Sequence, residues 1–587
     1  MTKFFKYYQA LALLIGTAAS LMSQENAFVD VSAGVDLFSF GGVQGIAVGD
    51  YNNDGFDDFY VCADVGQNKL FRNNGDGSFT EGAEDLGLAI AAKSKSAIWG
   101  DINNDGYLDL YLANLASNDQ LFLNQGDGTF QDITSQAGIE NWENPSSVNM
   151  ADVDNDGYLD IYISNLAAEN ILYLNKQDLS FQNYTQQSGA TDTGSSMGSI
   201  FFDYDKDGDQ DLFLTHDHAE PSLLYQNDGT GHFIEVSEAA NANVQGLGMG
   251  VDIGDINQDG YSDIYITNLF KNTLLLNKGD GTFENISASA GIEDYGMGWG
   301  TTFIDFDRDG WVDIYVANDS EFSPYPNVLY RNQGDNTFLA VELQKDISSN
   351  AQSYAAVCLD FQQDGQLDLA LANRGEEDHF QLFENANLAG NWIGVKLRGM
   401  QSNSDAIGSK LRIVDELGHI HYRELTAGQG WTSQNSSILY VGLGAANSID
   451  SLSVYWPSGL TQQLDGPPIN QYYTIIEGEL PMEGVIAKPL LTTTTLPVAK
   501  ARKLEFAVFP NPTKNQVKLQ IKAKALPGLE LRIFDGLGTL LHTQSIKKER
   551  RLHQQLDLDL TSFSSHKLLL LQLRTADQVV TKKVILN

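Results

Sequence analysis

The chain has 587 residues, of which 42% are hydrophobic and 10% aromatic, and these proportions exclude general disorder. This length predicts two to four domains. The net charge of −41 excludes nucleic acid as a partner, because phosphate binding needs a basic surface, and it favours cations instead. Residues 1–483 carry −51 and residues 484–587 carry +10, which predicts a separate C-terminal unit.

Residues 1–23 have the pattern of a signal peptide. Lys3 and Lys6 precede a short apolar stretch over residues 10–19, and the small residues Ser20 and Ser23 follow it. The apolar run is short for a bilayer, and no other segment is long and apolar enough to span one. We therefore expect export and no membrane span, with cleavage and retention as an N-terminal anchor both open.

A nine-residue loop rich in aspartate recurs seven times, at intervals of 50 to 55 residues. We call these segments loops 1 to 7: residues 50–58, 101–109, 152–160, 203–211, 255–263, 305–313 and 360–368. An alternating apolar stretch follows each loop, and Asn-Gly or Asp-Gly turns follow that stretch. Each period therefore predicts about four short strands, the content of one propeller blade.

A phenylalanine lies 22 residues before each loop, and its spacing predicts how the repeats close. Phe28 obeys this interval although no complete repeat precedes it, whereas the seventh repeat lacks its last strand. The simplest solution is a ring in which the strand at Phe28 completes the seventh blade, and closure removes exposed sheet edges. The sequence thus predicts an all-β chain whose residues 24–390 form a seven-bladed β-propeller, rather than a β-solenoid or a string of modules.

Each loop reads Asp-x-Asp/Asn-x-Asp-Gly, with one Gln exception, and a further Asp at position nine. Oxygen side chains at positions one, three, five and nine, with the carbonyl of position seven, suit Ca²⁺ better than Mg²⁺. An EF-hand is excluded because position twelve is an apolar strand residue in every loop. The predicted ligands, for up to seven Ca²⁺, are Asp50, Asn52, Asp54, Phe56, Asp58, Asp101, Asn103, Asp105, Tyr107, Asp109, Asp152, Asp154, Asp156, Tyr158, Asp160, Asp203, Asp205, Asp207, Asp209, Asp211, Asp255, Asn257, Asp259, Tyr261, Asp263, Asp305, Asp307, Asp309, Trp311, Asp313, Asp360, Gln362, Asp364, Gln366 and Asp368.

On these loops and this blade length, residues 28–387 resemble the FG-GAP/VCBS repeats of integrin-α-type propellers. The resemblance implies that the loops hold Ca²⁺. We expect the ions mainly to fasten the blades together. Gln362 departs from the pattern, so loop 7 is expected to bind its ion least completely.

Two further units follow the predicted propeller. Val-Gly-Leu-Gly at 441–444 and Val-Tyr-Trp-Pro-Ser-Gly at 454–459 make residues 391–480 resemble the ASPIC/UnbV domain of the cartilage acidic protein family, a small β-domain. Its polar run at 433–435 is interpreted as turn scaffolding. Residues 481–503 have the composition of a linker.

The last part of the chain contains the motifs Val-Phe-Pro-Asn-Pro-Thr at 508–513 and Leu-Arg-Ile-Phe-Asp-Gly-Leu-Gly at 531–538. On these motifs, residues 504–587 resemble the C-terminal sorting domain of type IX secretion in Bacteroidetes. The resemblance implies a β-sandwich, recognition by the type IX export machinery, and a mature protein that is secreted or held at the cell surface.

The edge opposite the loops is the other place where a ligand is expected. The residues that follow the second strand of each blade there include His216, His218, Asn114, Asn165, Asn268, Asn318, Asp319, Arg374, Phe322 and Tyr325. We interpret most of these as solvated loop residues. Cys62 and Cys358 fall on neighbouring blades of the closed ring, where free buried thiols are favoured over a disulfide.

No nucleophile elbow, zinc motif or phosphate loop occurs in the sequence. Two function classes therefore remain: a non-catalytic propeller for adhesion or for binding an extracellular glycan or protein, and a calcium-dependent enzyme with lyase-like action on polysaccharide. The first is favoured because no convincing set of Lys, Arg, Tyr and His converges. The identity of the ligand is not encoded in any motif.

Overall fold

The computed structural model describes residues 28–35, 42–321, 324–341, 351–375, 380–387 and 390–479, and in the C-terminal part 505–509, 516–522, 530–535, 540–545, 553–563, 568–574 and 579–585. The predicted signal peptide at 1–23, the predicted linker at 481–503 and Phe322 lie outside these residues. The chain divides into two compact units, Met1–Pro489 and Leu490–Asn587, which are described separately.

The described residues before 390 form seven sheets of one design, numbered 1 to 7 with their loops. In each sheet four antiparallel strands lie side by side, and the loop joins the first strand to the second. The strands of sheets 1 to 3 are Val43–Gly49, Asp58–Ala63, Lys69–Asn73, Phe79–Glu81; Lys93–Gly100, Asp109–Leu115, Gln120–Asn124, Phe130–Asp132; and Pro145–Ala151, Asp160–Asn165, Ile171–Asn175, Phe181–Asn183. Those of sheets 4 to 6 are Ser196–Phe202, Asp211–His216, Leu223–Asn227, Phe233–Glu235; Gly248–Gly254, Asp263–Asn268, Thr273–Asn277, Phe283–Asn285; and Gly298–Ile304, Asp313–Asn318, Val328–Asn332, Phe338–Val341.

Sheet 7 joins the two ends of the repeat region. Its strands are Ser353–Leu359, Asp368–Asn373, Gln381–Asn385 and Phe28–Asp30. The N-terminal strand runs antiparallel to the third, with Phe28 opposite Asn385 and Asp30 opposite Phe383. The first strands of successive sheets contact one another in order, and that of sheet 7 contacts that of sheet 1. The all-β prediction is confirmed, and the strand at Phe28 pairs where the 22-residue interval placed it.

Short helical turns lie between the strands, in addition to the four strands that the sequence predicted for each repeat. They are the α-turns Ala83–Leu86, Thr134–Ala137, Thr185–Ser188 and Ser287–Ala290, and the 3-10 turn Ser32–Val35. Each α-turn ends at a glycine with a left-handed φ between 72° and 80°. Four residues are too few to show a helical period, so the hydrophobic pattern missed them.

Residues 391–479, here called the second module, form two sheets packed on the loops of the ring. One contains Ile438–Gly444, Asn391–Arg398 and Tyr472–Ile476, and the other Ile420–Glu424, Lys410–Asp415, Ile449–Tyr455 and Thr461–Asp465. Ile393, Val441 and Leu452 share one buried cluster with Ile98 and Met150 of sheets 2 and 3. The second module and the ring therefore share a hydrophobic core.

Residues 426–436 of the second module, here called the central segment, contact the first strands of the ring. The short strand Ser433–Gln434 pairs in parallel with Ile46 and Ala47 of sheet 1. Asn435 Oδ1 accepts a bond from the Cys358 amide of sheet 7 at 2.9 Å. The predicted turn scaffold is thus a pairing strand.

Trp431 anchors the same segment by packing. It is buried with Met197, Met249 and Tyr354 from sheets 4, 5 and 7. The side chain of Gln434 bonds both the amide and the carbonyl of Trp99 in sheet 2, at 2.7 and 2.9 Å. The middle of the ring is therefore filled by a segment that lies far away in sequence.

The C-terminal unit contains two sheets in its described residues. One is built from Glu505–Phe509, Gln516–Lys522 and His553–Asp559, and the other from Leu540–Ser545, Glu530–Asp535, Leu568–Arg574 and Val579–Ile585; Thr561–Phe563 is a 3-10 turn. Leu531, Ile533, Leu569 and Leu571 are buried. The packing of these sheets as a sandwich stays a prediction.

Candidate metal centres in the repeat loops

The position-one aspartate organises every loop. Its Oδ2 accepts a bond from the amide of the position-six glycine in all seven loops, at 2.5 to 3.1 Å. Position four has φ between 54° and 62°, and the glycine has φ between 84° and 103°. Two left-handed residues thus turn the chain around one carboxylate, which explains the glycine because a side chain is strained there.

The position-nine aspartate fastens each loop to the third strand of its own sheet. Its Oδ1 accepts a bond from an asparagine amide on that strand at 2.7 to 2.8 Å in all seven sheets. In loops 2 to 7 its Oδ2 accepts the position-two amide at 2.9 to 3.2 Å. Position nine therefore also has a backbone-binding role.

The same asparagines link neighbouring sheets, which the sequence reasoning missed. They are Asn73, Asn124, Asn175, Asn227, Asn277, Asn332 and Asn385. Each Nδ2 donates to the position-two carbonyl of the preceding loop at 2.8 to 2.9 Å, and Asn73 donates to Phe361 across the closure of the ring. The available signal was an Asn 14 to 19 residues after each position-nine Asp.

Carboxylates converge most fully in loop 4. Oxygen atoms of Asp203, Asp205, Asp207 and Asp211 lie within 4.8 Å of one another, as do those of positions one, three and nine in loops 3 and 6. Asp203 Oδ1 is buried and has no hydrogen-bond partner in the described chain, and Asp154 Oδ1 and Asp305 Oδ1 share this property. Buried carboxylate oxygens without donors fit a hard cation.

Loops 1, 2, 5 and 7 have an amide at position three and bring fewer carboxylates together. In loops 2 and 5 this amide faces position five, with Asn103 Nδ2 donating to Asp105 and Asn257 Nδ2 to Asp259, at 3.0 and 2.9 Å. In loop 7 the Oε1 of Gln362 is buried without a donor. The less complete ion binding expected of loop 7 stays a prediction.

The position-seven residues were predicted to bind Ca²⁺ through their carbonyl oxygens. In the structure their backbone amides are hydrogen-bonded within the loop. Each amide donates to the Oδ1 of position five at 2.9 to 3.0 Å. This bond fixes Phe56, Tyr107, Tyr158, Asp209, Tyr261, Trp311 and Gln366 beside the carboxylates. Their carbonyls as calcium ligands stay a prediction.

Burial and like charge act together on the loop carboxyls. Burial raises the pKa of all seven position-nine aspartates well above the usual range, and neighbouring loop carboxylates raise it further. Burial also raises the pKa of Asp152 and Asp305 to about 7. A cation among these groups would favour their ionised forms.

The second module contacts the position-one aspartates, which the sequence did not predict. Lys396 Nζ lies 3.3 Å from Asp50 Oδ2, and the amide of Gly442 donates to Asp305 Oδ2 at 3.0 Å. Other contacts of this kind join Ser404 to Asp101, Lys410 to Asp203 and Tyr472 to Asp360. The second module therefore lies on the loop edge of the ring and uses Oδ2 of these side chains.

A cation from the third strand of sheet 6, Arg331, lies against loop 6. Arg331 Nη2 lies 2.7 Å from Asp307 Oδ2 and 3.1 Å from Asp309 Oδ2. This guanidinium therefore offsets part of the negative charge at positions three and five.

The opposite edge differs from the expectation of solvated loops. His216, Asn114, Asn165, Asn268, Asn318 and Asp319 are buried, whereas Arg374, Tyr325 and His218 are exposed. His216 Nε2 lies 2.9 Å from Asp192 Oδ2, and its Nδ1 lies 2.7 Å from the Pro221 carbonyl. The solvated interpretation is wrong for the buried set because these side chains hold adjacent connections together. Cys62 and Cys358 are buried free thiols, as favoured.

Comparison with known families now identifies the repeats. The FG-GAP-like repeat matches residues 50–112, 101–163, 152–214, 203–266, 268–316 and 305–371, more than half of the chain. The chain belongs to the FG-GAP-like repeat family. Beyond the FG-GAP-like repeats, the ASPIC and UnbV family matches residues 399–481, and a secretion system C-terminal sorting domain matches residues 507–587. The sorting domain indicates export, so this FG-GAP-like repeat protein is secreted or held at the cell surface.

Curated relatives share part of this architecture. Cartilage acidic protein 1 of Xenopus tropicalis is 29% identical over 234 residues, which cover 37% of this chain and 36% of the relative. The human protein of that name is 27% identical over 34% of this chain and 32% of the length of the human protein. The chain thus spans about a third of the length of these relatives.

Among solved structures, Saccharomyces cerevisiae Sqt1 is similar with a TM-score of 0.38 and 11% identity, covering 62% of this chain and 99% of that one. A likeness at this level carries no argument about function. In the part of the chain that the structure describes, no helix is long and apolar enough to cross a membrane.

Proposed function

We propose that this exported protein binds Ca²⁺ in its FG-GAP-like loops, and that the ring so fastened binds an extracellular glycan or protein without catalysing a reaction. The single observation that carries the calcium proposal is the meeting of four aspartates in loop 4 around a buried, unpartnered Asp203 Oδ1. Hard oxygen ligands of this kind are those that Ca²⁺ takes.

Fastening is the proposed role of the ions because the loops are also the joints between sheets. Asn227 bonds the Asp211 carboxylate through its amide, and through its side chain the Val153 carbonyl of loop 3. An ion that fixes Asp211 and Asp203 therefore also fixes the contact between sheets 3 and 4. Bound Ca²⁺ supplies charge neutralisation at these joints.

The experiment uses the full chain, stripped with chelator and then titrated with CaCl₂ in a calorimeter. We expect saturable binding and a marked rise in the melting temperature, since an ion at a thousandfold over its Kd contributes about 4 kcal/mol per site. MgCl₂ at equal ionic strength is the matched control and should raise the melting temperature much less. An unchanged melting curve in excess chelator would refute the calcium proposal.

The ligand-binding proposal rests on the edge opposite the loops. Phe270 and Tyr295, which are 57% and 48% exposed, lie in connections of sheets 5 and 6 with Lys271 between them. Lys271 Nζ is 5.7 Å from the Tyr295 ring and 2.9 Å from Glu293. Phe270 has a φ of 84°, which is uncommon for a bulky residue. Exposed aromatic side chains beside charges are typical of interaction surfaces.

A glycan and protein array, followed by an assay for soluble product, tests this part. We expect retention of a ligand that is weakened in a Phe270→Ala/Tyr295→Ala variant but not in Trp142→Ala, an aromatic residue on the same edge that is 69% exposed. Release of shortened saccharide would overturn the non-catalytic proposal in favour of the lyase alternative.

A further inference from the structure

A cavity of about 640 Å³ lies between loops 4 and 5 and the second module. Loop residues Lys206, Asp207 and Asp259 line one side, and Arg412 and Trp456 are among the lining residues of the second module. This volume is in the range of small-molecule sites in proteins. The cavity is separate from the exposed edge discussed above, because it lies on the loop side of the ring.

Two hydrogen-bond donors of this lining lack a partner. Trp456 is 3% exposed, and its buried Nε1 has no acceptor in the described chain. The guanidinium of Arg412, half-buried on the neighbouring strand, forms neither an ion pair nor a hydrogen bond within the described residues. A buried N–H without an acceptor costs free energy, so a ligand oxygen at this place would be stabilising.

The charge of the cavity depends on the loops, so the inference rests on the proposed calcium binding. Asp203, Asp207 and Asp259 line the cavity and are predicted calcium ligands. One Ca²⁺ in each loop would offset part of this negative charge, so Lys206, Lys410 and Arg412 would face fewer uncompensated carboxylates. The three cations attract an anion at short range, although the net charge of −41 repels it at long range.

Aromatic surface accompanies these cations. Tyr455, 39% exposed, and the ring of Tyr422 line the same cavity, and Lys206 Nζ lies 5.3 Å from the Tyr422 ring centre. A pyranose ring with a carboxylate offers both a C–H face for the rings and oxygens for the donors. An Asp or Glu side chain of a peptide offers the carboxylate without that face.

We propose that this cavity binds a carboxylated saccharide unit, a uronic acid, with Arg412 on the carboxylate, Trp456 Nε1 on a ligand oxygen and Tyr455 along the sugar ring. The assignment uses donors that no group of the described chain satisfies. It also gives the second module a role in recognition.

A second cavity provides an internal control. It measures about 490 Å³, lies against loops 1 and 2, and is lined by Lys396 and Arg398. Among its described lining residues Tyr107 alone is aromatic. Arg398→Ala therefore removes a cation from a comparable place that lacks the aromatic wall.

The experiment is calorimetric titration of the full, calcium-loaded chain with a short uronic-acid oligosaccharide, with equal CaCl₂ in both solutions. The matched ligand is the same oligosaccharide with its carboxyl groups reduced to alcohols. We expect binding of the acidic form alone, weakened about tenfold or more by Arg412→Ala, because a charge-assisted bond is lost. Trp456→Phe, which keeps an aromatic ring and deletes the N–H, should weaken it severalfold, and Arg398→Ala should leave it unchanged.

Calcium content and melting temperature are measured on every variant, which separates the two proposals. If calcium binds and the oligosaccharide does not, the saccharide inference is overturned and the calcium proposal stands. If calcium itself does not bind, the calcium proposal fails first. Equal affinity for an acidic peptide, or sensitivity to Arg398→Ala in place of Arg412→Ala, also overturns the inference.

Discussion

Loops 4 and 7 have the same backbone and different ligand sets. In both, the glycine amide bonds the position-one carboxylate, and position nine holds an asparagine amide at 2.8 Å. Yet loop 4 has Asp205 at position three, where loop 7 has Gln362 with a buried, unpartnered Oε1. Positions one, six and nine thus make the same backbone contacts in both loops. The charge differs at positions three and seven, where loop 4 has Asp205 and Asp209 and loop 7 has Gln362 and Gln366.

The second module also contacts the position-one aspartates of loops 4 and 7 through different side chains. It places Lys410 on Asp203 in loop 4 and the Tyr472 hydroxyl on Asp360 in loop 7. Burial and the adjacent Asp364 raise the pKa of Asp360 to about 7, although the Tyr472 bond lowers it. The charged Lys410 thus contacts loop 4, which has more carboxylates, and the neutral Tyr472 contacts loop 7, which has fewer.

The largest expected effect comes from position nine. Asp211→Ala and Asp368→Ala should each lower the free energy of unfolding by about 3 kcal/mol or more in chelator, because two buried amides lose their acceptor. In CaCl₂ the loss should grow for Asp211→Ala more than for Asp368→Ala. Urea unfolding of the full chain measures this, with the exposed Glu238→Ala as control; a loss below about 1 kcal/mol at both sites would contradict it.

The asparagine link should be equally important in both sheets. Asn227→Ala and Asn385→Ala each remove an Nδ2 that donates to two buried carbonyls, with an expected loss of about 2 kcal/mol. Because this bond is independent of position three, the two variants should agree within about 0.5 kcal/mol in chelator. A clear difference between them would show that the link depends on the loop ligands.

Exchanging position three should convert one loop towards the other. Asp205→Gln should weaken one calcium site about tenfold, because a neutral amide oxygen replaces a carboxylate. Gln362→Asp should strengthen one site by a similar factor, because a carboxylate replaces a neutral oxygen. Calcium titration monitored by calorimetry reports both changes. If Gln362→Asp leaves the binding isotherm unaltered, position three does not set the affinity of loop 7.

The smallest effect concerns pH and again separates sheets 4 and 7. Sheet 4 has His216 where sheet 7 has Asn373, each facing a serine on the first strand. Burial by itself lowers the pKa of His216, but the bond to Asp192 raises it to a net value above the usual one. For Asp192 the directions are reversed. Burial by itself raises the pKa of Asp192, but the bonds from His216 and Ser196 lower it to a net value below the usual one.

Because the pKa of His216 is higher in the folded protein, its protonated imidazole stabilises the fold fully at pH values below the unfolded-state pKa of about 6.5. This stabilisation is lost as the pH rises through the folded-state pKa. The Asp192 contribution is present above about pH 4 and is lost on acidification. His216→Asn should therefore remove about 1 kcal/mol at pH 6 and less at pH 8. Melting curves at both pH values test this, and an equal loss at each would show that the imidazolium is not involved.

The sequence by itself determined the repeated parts of this protein. The alternation of apolar residues predicted strands, and Asp-x-Asp-x-Asp-Gly predicted a loop wound around carboxylates, because both patterns act on residues close together in the chain. Even ring closure was readable, since the interval from Phe28 to Asp50 is itself a local measure. The secretion domain likewise carried motifs of its own.

Only the tertiary structure determined which residues, distant in sequence, contact these loops and the strands of the ring. The contacts of Lys410 with Asp203 and of Gln434 with Trp99 join residues 207 and 335 positions apart. The pairing of His216 with Asp192 and the link from Asn73 to Phe361 likewise appear only in the folded ring. Local sequence patterns determine the shape of a strand or a loop, but they do not specify which distant residue becomes its partner on folding.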